Sequence, residues 1–309
     1  MRDKSEYMSD FFVNEVFPAF ATGFKAKTTV NEYFSAICLY CDFMKKDFLD
    51  ETFDDAMGYA NYLQARIKDG KFATSTYIVR MSAYRAMEDF LMKFYPGTLT
   101  DTPWHKIQRP HLDSSISPER IPSIEQLDML LERSKDLGPM WYVLIALVIR
   151  CALTATEVIS LKKTDFQVEG DYMYLHLDTK RRDVKFTKER QLRLTDDVRE
   201  LVEKHIATMP FCDEAGHLFY NSRKKALSQK NLQDNLHKIQ ADLPFCFSIG
   251  SIRSRAILEL LAASSDPAAV AQFADISSMR IASFIEAAGL VDDKRAVNDF
   301  VNISVNSCF

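Results

Sequence analysis

The chain lacks a hydrophobic run long enough to cross a membrane. Hydrophobic residues make up 47% of its 309 residues. The long apolar run from Met140 to Val148 is soon followed by Arg150 and falls short of the roughly 20 residues that a spanning helix needs. The N-terminus has no continuous apolar segment with a small-residue cleavage site, as a signal peptide would have. We therefore expect a cytoplasmic protein without a membrane partner, and the length favours two domains.

The chain has few cysteines, and their positions do not suggest a disulfide framework. Six are scattered at 38, 41, 151, 212, 246 and 308, and a cytosolic setting would keep them reduced. Cys38 and Cys41 have the spacing of metal ligands, but no second pair completes a set of four. Aromatic neighbours on the same helix favour core packing for this pair over zinc binding or redox chemistry. We predict no metal site and no cofactor.

The chain also lacks an excess of positive charge. Its net charge is −4 and its isoelectric point is near 5.9, which argues against nucleic-acid binding because neutralised phosphates supply much of that affinity. Two local segments are nevertheless basic. Residues 180–193 hold seven basic and two acidic side chains, and a second cluster follows at Arg223, Lys224, Lys225 and Lys230. These segments are either phosphate-binding surfaces or a solvated hairpin and loop.

Residues 1–98 have the pattern of a helical bundle. Apolar residues recur at helical spacing between positions 30 and 44, which predicts one buried helix face. Thr29–Glu32 fits a capping box, and Thr74–Thr76 fits the cap of a later helix. The sequence of residues 99–122 predicts a linker between the two domains, and we expect Trp104 and Ile107 to contact one of the domains. Four prolines break any helix there: Pro103, Pro110, Pro118 and Pro122.

Residues 123–309 predict a second domain with helices and a few strands. Ser123 and Gln126 fit a capping box, and Trp141–Leu153 fits a buried helix. Alternating residues predict strands at Tyr172–Leu177 and Gln191–Leu194, paired as a hairpin across the basic segment. Further helices are predicted at Val198–Ile206, Gln229–Ala241, Ile252–Ala263, Ala268–Phe273 and Met279–Ala288. The predicted fold class is therefore mainly α with a small β-hairpin or sheet.

Four segments of this second domain form a pattern when taken in order. The first runs from Cys151 to Asp165, and the second is the hairpin segment from Lys185 to Leu194. The third is Ser248-Ile249-Gly250-Ser251-Ile252-Arg253, and the fourth is Phe273-Ala274-Asp275-Ile276, with Phe284 eleven residues past Phe273. Their order and spacing resemble the catalytic-domain boxes of the tyrosine recombinases, the phage-integrase family. The helical residues 1–98 resemble that family's SAM-like core-binding domain.

The resemblance implies a catalytic site in which most positions are altered. These positions are Thr154 and Arg253 for the two arginines, Lys185 for the lysine, Gly250 for the first histidine, Asp275 for the second histidine or tryptophan, and Phe284 for the tyrosine nucleophile. Phenylalanine has no hydroxyl with which to attack a phosphate, and threonine offers one neutral hydrogen bond in place of a guanidinium. No tyrosine follows Tyr220. We therefore expect a relative that neither cleaves nor joins DNA.

Two residues near these positions have alternative interpretations. Arg150 lies one turn before Thr154 and either replaces the missing guanidinium or makes a contact on the helix surface. Phe284 shares one helical stripe with Ile281, Ile285 and Ala288, which favours a place in the core.

Three hypotheses for the function follow. The first is a DNA-binding protein that has lost its family's chemistry of recombination and integration of mobile genetic elements. Its two domains would clamp duplex DNA, with phosphate contacts from Lys180, Arg181, Arg182, Lys185, Lys188, Arg190, Arg223, Lys224, Lys225, Arg253, Lys71, Thr74 and Thr76. The second, favoured by the acidic isoelectric point, is an interaction subunit that assembles with an active recombinase or with itself through residues 291–309. The third is a recombinase whose nucleophile comes from a partner.

Overall fold

The computed structural model describes residues 4–110, 116, 118–179, 188–263 and 266–288. Contacts divide the chain into two compact units, Met1–Asp113 and Ser114–Phe309. Where described, the first unit is helical and the second combines helices with a three-stranded sheet. The predicted fold class, mainly α with a small β element, is confirmed. No described helix has the length and apolar content that a bilayer crossing requires.

Helices of the first unit pack around an aromatic core. A π-helical turn, Phe12–Val16, continues into α1 (Phe17–Ala21), and α2 (Lys27–Met44), α3 (Phe53–Lys68), α4 (Thr74–Phe94) and α5 (Pro103–Lys106) follow. On α2, Phe34, Ile37 and Cys41 are at most 4% exposed, so the predicted buried face is confirmed. Cys38 is fully buried beside them, and the cysteine pair belongs to the core as predicted.

The starts of two helices differ from the sequence prediction. The N-cap of α2 is Ala26, so Thr29 already lies inside the helix, and the N-cap of α4 is Ala73 rather than a threonine or serine. Because an alanine side chain cannot accept a hydrogen bond from the first turn, both predicted side-chain caps are wrong. A side-chain cap does form at α3, where Thr52 Oγ1 accepts from the Asp55 amide at 3.3 Å.

Residues 99–107, which their sequence assigned to the linker, pack on the first unit. Trp104 is fully buried and Ile107 is 4% exposed. Arg85 on α4 donates from Nε to the Trp104 carbonyl at 2.9 Å and from Nη2 to the Ile107 carbonyl at 2.6 Å. Trp104 and Ile107 therefore contact one of the domains, as predicted.

Two carboxyl groups lie buried within the aromatic core of this unit. Trp104 donates to both, from its amide to Glu88 Oε1 at 2.8 Å and from Nε1 to Glu51 Oε2 at 3.0 Å, and the Tyr40 ring packs against the indole. Burial raises the pKa of Glu88 to about 7. Burial and the neighbouring charge of Glu88 raise the pKa of Glu51 well above its ordinary value. The folded unit therefore favours the protonated carboxyls.

The stability of the first unit should fall as the pH rises from about 4.5 to about 7. Each carboxyl has a folded pKa above its unfolded pKa, so its stabilising contribution is complete below the unfolded value and is lost as the pH passes the folded value. Glu88→Gln removes one of these titrations and keeps an oxygen for the Trp104 amide. We expect this substitution to reduce the pH dependence of the urea concentration at which the first unit is half unfolded. Amide hydrogen exchange in peptides from α2 and α4 measures that unfolding.

The matched control for this measurement is Glu32→Gln, at an exposed position on α2. It should leave the pH dependence as in the parent chain. Equal pH dependence in the Glu88 and Glu32 variants would contradict the assignment of this effect to the buried carboxyls.

A buried helix lies at the centre of the second unit. This helix is α7 (Pro139–Cys151), and every residue from Trp141 to Ile149 is at most 6% exposed, so the predicted buried helix is confirmed. Before it, α6 (Ile124–Ser134) starts at the predicted capping box of Ser123 and Gln126, which forms. The other α-helices in the described part of this unit are α8 (Ala155–Ser160), α9 (Asp196–Thr208), α10 (Gln229–Gln240), α11 (Ile249–Ala263), α12 (Pro267–Ala274) and α13 (Ser278–Ala288).

The strands of this unit form one antiparallel sheet in the order β1 (Phe166–Glu169), β2 (Tyr172–Thr179) and β3 (Lys188–Arg193). Leu175 pairs with Phe166 on one side and with Leu192 on the other. The predicted pairing of the second and third strands is confirmed. The first strand was missed because it has only four residues and is largely exposed, so it carries little alternation of apolar and polar residues.

Candidate functional site

The candidate site begins at the turn between α7 and α8. Ala152 takes a left-handed conformation with φ of 49°, and Thr154 then caps α8. Thr154 Oγ1 accepts from the Glu157 amide at 3.2 Å, and Glu157 Oε2 accepts from the Thr154 amide at 2.7 Å. The residue at the expected arginine position is therefore engaged in a capping box.

Arg190 on β3 connects three segments of the site. Its side chain is 5% exposed. Nη2 donates to Glu157 Oε1 at 3.0 Å, and Nη1 donates to the Phe273 carbonyl at 2.8 Å. Its Nε is buried and has no hydrogen-bond partner among the residues that the structure describes. This guanidinium holds α8 and the end of α12 against the sheet.

The burial of Arg190 corrects the prediction that it contacts a DNA phosphate. A guanidinium this deeply buried and engaged with a carboxylate and a carbonyl is not a surface ligand. The signal for burial was present in the sequence. Alternate residues of a strand share one face. Arg190 is two and four positions before Leu192 and Leu194, which are 3% and 4% exposed.

Arg253 on α11 makes a second bridge between the same segments. Its Nε donates to the Ala152 carbonyl at 2.7 Å, and its Nη2 donates to the Ala274 carbonyl. Burial is the main cause that lowers the pKa of Arg253. The positive charges of Arg190 and Arg280 add to this effect, and the carboxylates of Glu157 and Asp275 oppose it. Arg190 and Arg253 thus hold the adjacent carbonyls of residues 273 and 274.

Of the remaining family positions, those that the structure describes are Phe284, Asp275 and Gly250, at α11, α12 and α13 around this bridge. Phe284 is 2% exposed in an apolar cluster of α11, α12 and α13, so its predicted place in the core is confirmed. The Arg280 guanidinium lies 5.4 Å from the Phe284 ring centroid. Asp275 ends α12 in a left-handed conformation with φ of 48°. Gly250 is exposed in the first turn of α11, and a Cβ there would meet Ser248 Oγ at 3.6 Å, an ordinary contact.

Arg150 does not replace the missing guanidinium. Its Nη1 lies 3.2 Å from Asp197 Oδ2, and its Nη2 donates to Thr195 Oγ1 at 3.1 Å. Both partners belong to the start of α9, which confirms the interpretation of Arg150 as a contact on the helix surface.

The other predicted phosphate contacts fall into two described clusters and one segment outside the description. Arg223, Lys224 and Lys225 are exposed in a turn in which Asn221 Oδ1 accepts from the amides of Arg223 and Lys225 at 2.9 and 3.2 Å. Lys71 and Thr76 are exposed near the start of α4, and Thr74 is half-buried. The residues outside the described ranges are Lys180, Arg181, Arg182 and Lys185, together with the Lys188 side chain and the 291–309 segment.

The described residues offer no arrangement for a metal ion. No group of three or more histidine, cysteine, aspartate or glutamate side chains is placed to hold one in those parts of the chain. Burial raises the pKa of the Cys41 thiol well above its usual value, which disfavours the thiolate that metal binding and redox chemistry need.

Three solved structures resemble the chain over most of its length. A lambda integrase dimer bound to a COC′ core site has a TM-score of 0.69 at 13% identity, with 92% of this chain and 79% of that chain covered. The Tn1549 transposon integrase in complex with circular intermediate DNA has a TM-score of 0.64 at 14% identity, with 87% and 94% covered. The XerH recombinase bound to palindromic difH substrate has a TM-score of 0.63 at 15% identity, with 84% and 77% covered. No curated protein sequence matches the chain.

The two units, and the order of the four sequence segments around Arg253, are those of a tyrosine-recombinase fold. Residues 123–284, more than half of the chain, match the phage integrase family. The chain belongs to the phage integrase family.

Arg190→Lys should destabilise the second unit by about 1–3 kcal/mol, because lysine keeps the charge but cannot serve Glu157 and the Phe273 carbonyl together. Arg193→Lys, on the same strand, is the matched control. Arg193 is exposed over the Tyr172 ring, so its replacement should cost less than about 1 kcal/mol. Urea unfolding followed by amide exchange in peptides of residues 154–160 and 267–274 measures both. Equal losses would contradict a bridging role for Arg190.

Proposed function

We propose that this protein binds duplex DNA and does not cleave or rejoin it. The observation that carries the proposal is the contrast within one site. Arg253 is kept at the centre of the site, whereas Phe284 is buried without a hydroxyl and Thr154 is a helix cap. A retained arginine beside a residue that has no hydroxyl supports DNA binding without cleavage.

Binding to DNA is supported by the family and by the charge of two surfaces. The lambda, Tn1549 and XerH proteins are each described in complex with DNA or a DNA site. In this chain the turn at Arg223, Lys224 and Lys225 presents three exposed cations, and its hydrogen bonds to Asn221 fix the backbone that carries them. Lys71 offers a further exposed cation close to the start of α4. Ordered cations of this kind position a protein on the phosphate backbone.

The absence of cleavage is supported by the chemistry of phosphoryl transfer. A covalent intermediate needs an oxygen nucleophile, and the charge that grows on the phosphate oxygens needs preorganised donors. Phe284 supplies no oxygen, and Asp275 would add negative charge where a donor is expected. In a well-studied protease, loss of the nucleophile alone lowers turnover by about 10⁶-fold.

A second function, assembly with an active recombinase, is favoured by the net charge of −4. Lambda integrase is described both as a dimer and as a tetramer on DNA. This alternative predicts co-elution with a purified active recombinase of the same family in the absence of DNA. It also predicts affinity for duplex DNA that changes little with salt.

Salt dependence tests the DNA-binding proposal. Affinity for a random-sequence duplex, measured by fluorescence anisotropy at several salt concentrations, should fall with a log–log slope of about −0.9 for each phosphate contact. Replacing Arg223, Lys224 and Lys225 by alanine should reduce the magnitude of the slope by up to about 3. Lys93→Ala, at an exposed site near the far end of α4, is the control and should change little. A parent slope near zero would contradict phosphate binding.

A trapping experiment tests the absence of cleavage. Nicked duplexes with random arms should yield no detergent-resistant covalent adduct with the parent chain, because Phe284 cannot form one. Phe284→Tyr should also yield none, since the Thr154, Gly250 and Asp275 positions remain altered. Lambda integrase on its own nicked core site is the positive control. An adduct with the parent chain would refute the proposal, and an adduct seen only with an active recombinase added would indicate a nucleophile supplied by the partner.

A further inference from the structure

Residues 99–107, called the Trp104 segment, place one large side chain in the core of the first unit. The Trp104 indole is fully buried. Three tyrosine rings pack against it: Tyr40, Tyr59 and Tyr84. The Trp104 amide donates to Glu88 Oε1 at 2.8 Å, and Nε1 donates to Glu51 Oε2 at 3.0 Å. Both N–H groups of Trp104 therefore end on a carboxyl group.

The second oxygen of each carboxyl meets no donor in the described part of the chain. Glu51 Oε1 and Glu88 Oε2 are buried and have no hydrogen-bond partner among the residues that the structure describes. A carboxylate has acceptor oxygens only, whereas a carboxylic acid carries an O–H of its own. An ionised carboxylate that is removed from water is costly unless it is paired with a cation and hydrogen-bonded. The surroundings of Glu51 and Glu88 thus favour protonated carboxyls.

Within the described residues, the surrounding helices supply no hydrogen bond from a cation to this pair. The titratable groups that face it are Tyr40 on α2, Tyr59 on α3, Tyr84, Arg85 and Asp89 on α4, and His105 on α5. Arg85 donates to backbone carbonyls of the Trp104 segment. His105 Nε2 lies 3.0 Å from Asp89 Oδ1 and 3.8 Å from Glu88 Oε2, so it pairs with the exposed carboxylate.

We propose that loss of the protons on Glu51 and Glu88 releases the Trp104 segment from the first unit while α2, α3 and α4 stay packed. Charges without a cationic partner are costly in the core, and water reaches them when Trp104 leaves. The helix of this segment, α5, has four residues, whereas the other three helices have between 16 and 21. Short segments open at lower free energy than helices of the packed core, so the Trp104 segment is the part that moves.

Release of the Trp104 segment changes the length of free chain between the two units. In the sequence, residues 99–107 stand between α4 and the second unit. When extended, they span up to about 30 Å. The protonation of two carboxyls in the first unit thereby sets how much free chain connects the units.

The test follows the Trp104 segment as a function of pH, without denaturant. Amide hydrogen exchange in peptides of residues 99–107, corrected for the intrinsic exchange rate at each pH, gives the equilibrium constant for opening. Acrylamide quenching of fluorescence gives an independent measure. It uses a chain that carries Trp141→Phe, so that Trp104 is the one remaining tryptophan.

The opening constant should rise with pH. Burial raises the pKa of Glu88 to about 7, and burial with the charge of Glu88 raises the pKa of Glu51 well above its usual value. The stabilising contribution of each carboxyl is complete below its ordinary pKa of about 4.5 and is lost as the pH rises through its folded pKa. Over that range, each carboxyl should raise the opening constant by up to about tenfold per pH unit. Peptides from α2 and α4 should show a smaller rise.

Glutamine variants assign the effect to the carboxyl pair. Glu51→Gln and Glu88→Gln keep an acceptor oxygen for Trp104 and do not ionise, so each should weaken the rise, and the double variant should open with little pH dependence. Asp89→Asn is the matched control, because Asp89 is an exposed carboxylate on the same helix as Glu88. His105→Gln removes an ionisable side chain 3.8 Å from Glu88. Both controls should keep the rise of the parent chain.

Three results would overturn the inference. An opening constant that does not change with pH in the parent chain excludes release linked to protons. A rise that is lost in His105→Gln and kept in the double glutamine variant assigns the pH dependence to His105 instead. Exchange of the α2 and α4 peptides in step with the Trp104 segment shows that the whole unit opens at once. If the double variant loses its native circular dichroism, the two single variants decide.

Discussion

The geometry of the second unit depends on two guanidiniums that hold adjacent carbonyls of one turn. Arg190 binds the Phe273 carbonyl and Arg253 binds the Ala274 carbonyl. At their other ends, Arg190 meets Glu157 and Arg253 meets the Ala152 carbonyl. These bonds join four distant parts of the sequence: β3, the α7–α8 turn, α11 and the end of α12. Because both guanidiniums are partly or fully removed from water, loss of a partner would leave a buried charge unpaired.

The residues of this double bridge and their neighbours in the site have structural roles. Arg253 binds two backbone carbonyls, and Glu157 binds the Arg190 guanidinium and the Thr154 amide. Thr154 and Phe284 each have a structural role, one as a helix cap and the other in an apolar cluster. The contacts that build the site are thus made by side chains from distant parts of the second unit. A fold of this kind can present DNA-binding surfaces without carrying out the reaction.

The first unit depends on a different set of contacts, which hold the proline-containing segment of residues 99–107 against its helices. Trp104 enters an aromatic core, and its two N–H groups are satisfied by Glu51 and Glu88. Arg85 satisfies the carbonyls of the same segment. The N–H groups of Trp104 and the carbonyls of its segment are tolerated in the core because each of them meets a partner, and the cost is a pair of carboxyls that resist ionisation. Their protonation is thereby linked to the folding of the unit.

The sequence alone determined the features that depend on local pattern. Helical spacing located the buried face of α2, and a continuous apolar run indicated the buried helix α7. Alternation located β2 and β3, and Ser123 with Gln126 located the start of α6. The order of the four segments indicated the family, and the helical stripe of Ile281, Phe284, Ile285 and Ala288 placed Phe284 in the core. Local pattern failed at Ala26 and Ala73, where helices begin without a side-chain cap.

Only the tertiary structure decided how charged side chains are used. Arg190 lies in a run of basic residues that suggests a solvated hairpin, yet Glu157 lies 33 positions away and Phe273 lies 83 positions away, and folding brings both to its guanidinium. Composition and periodicity report which residues prefer water, but the partners that let an arginine leave water are brought together only by the fold.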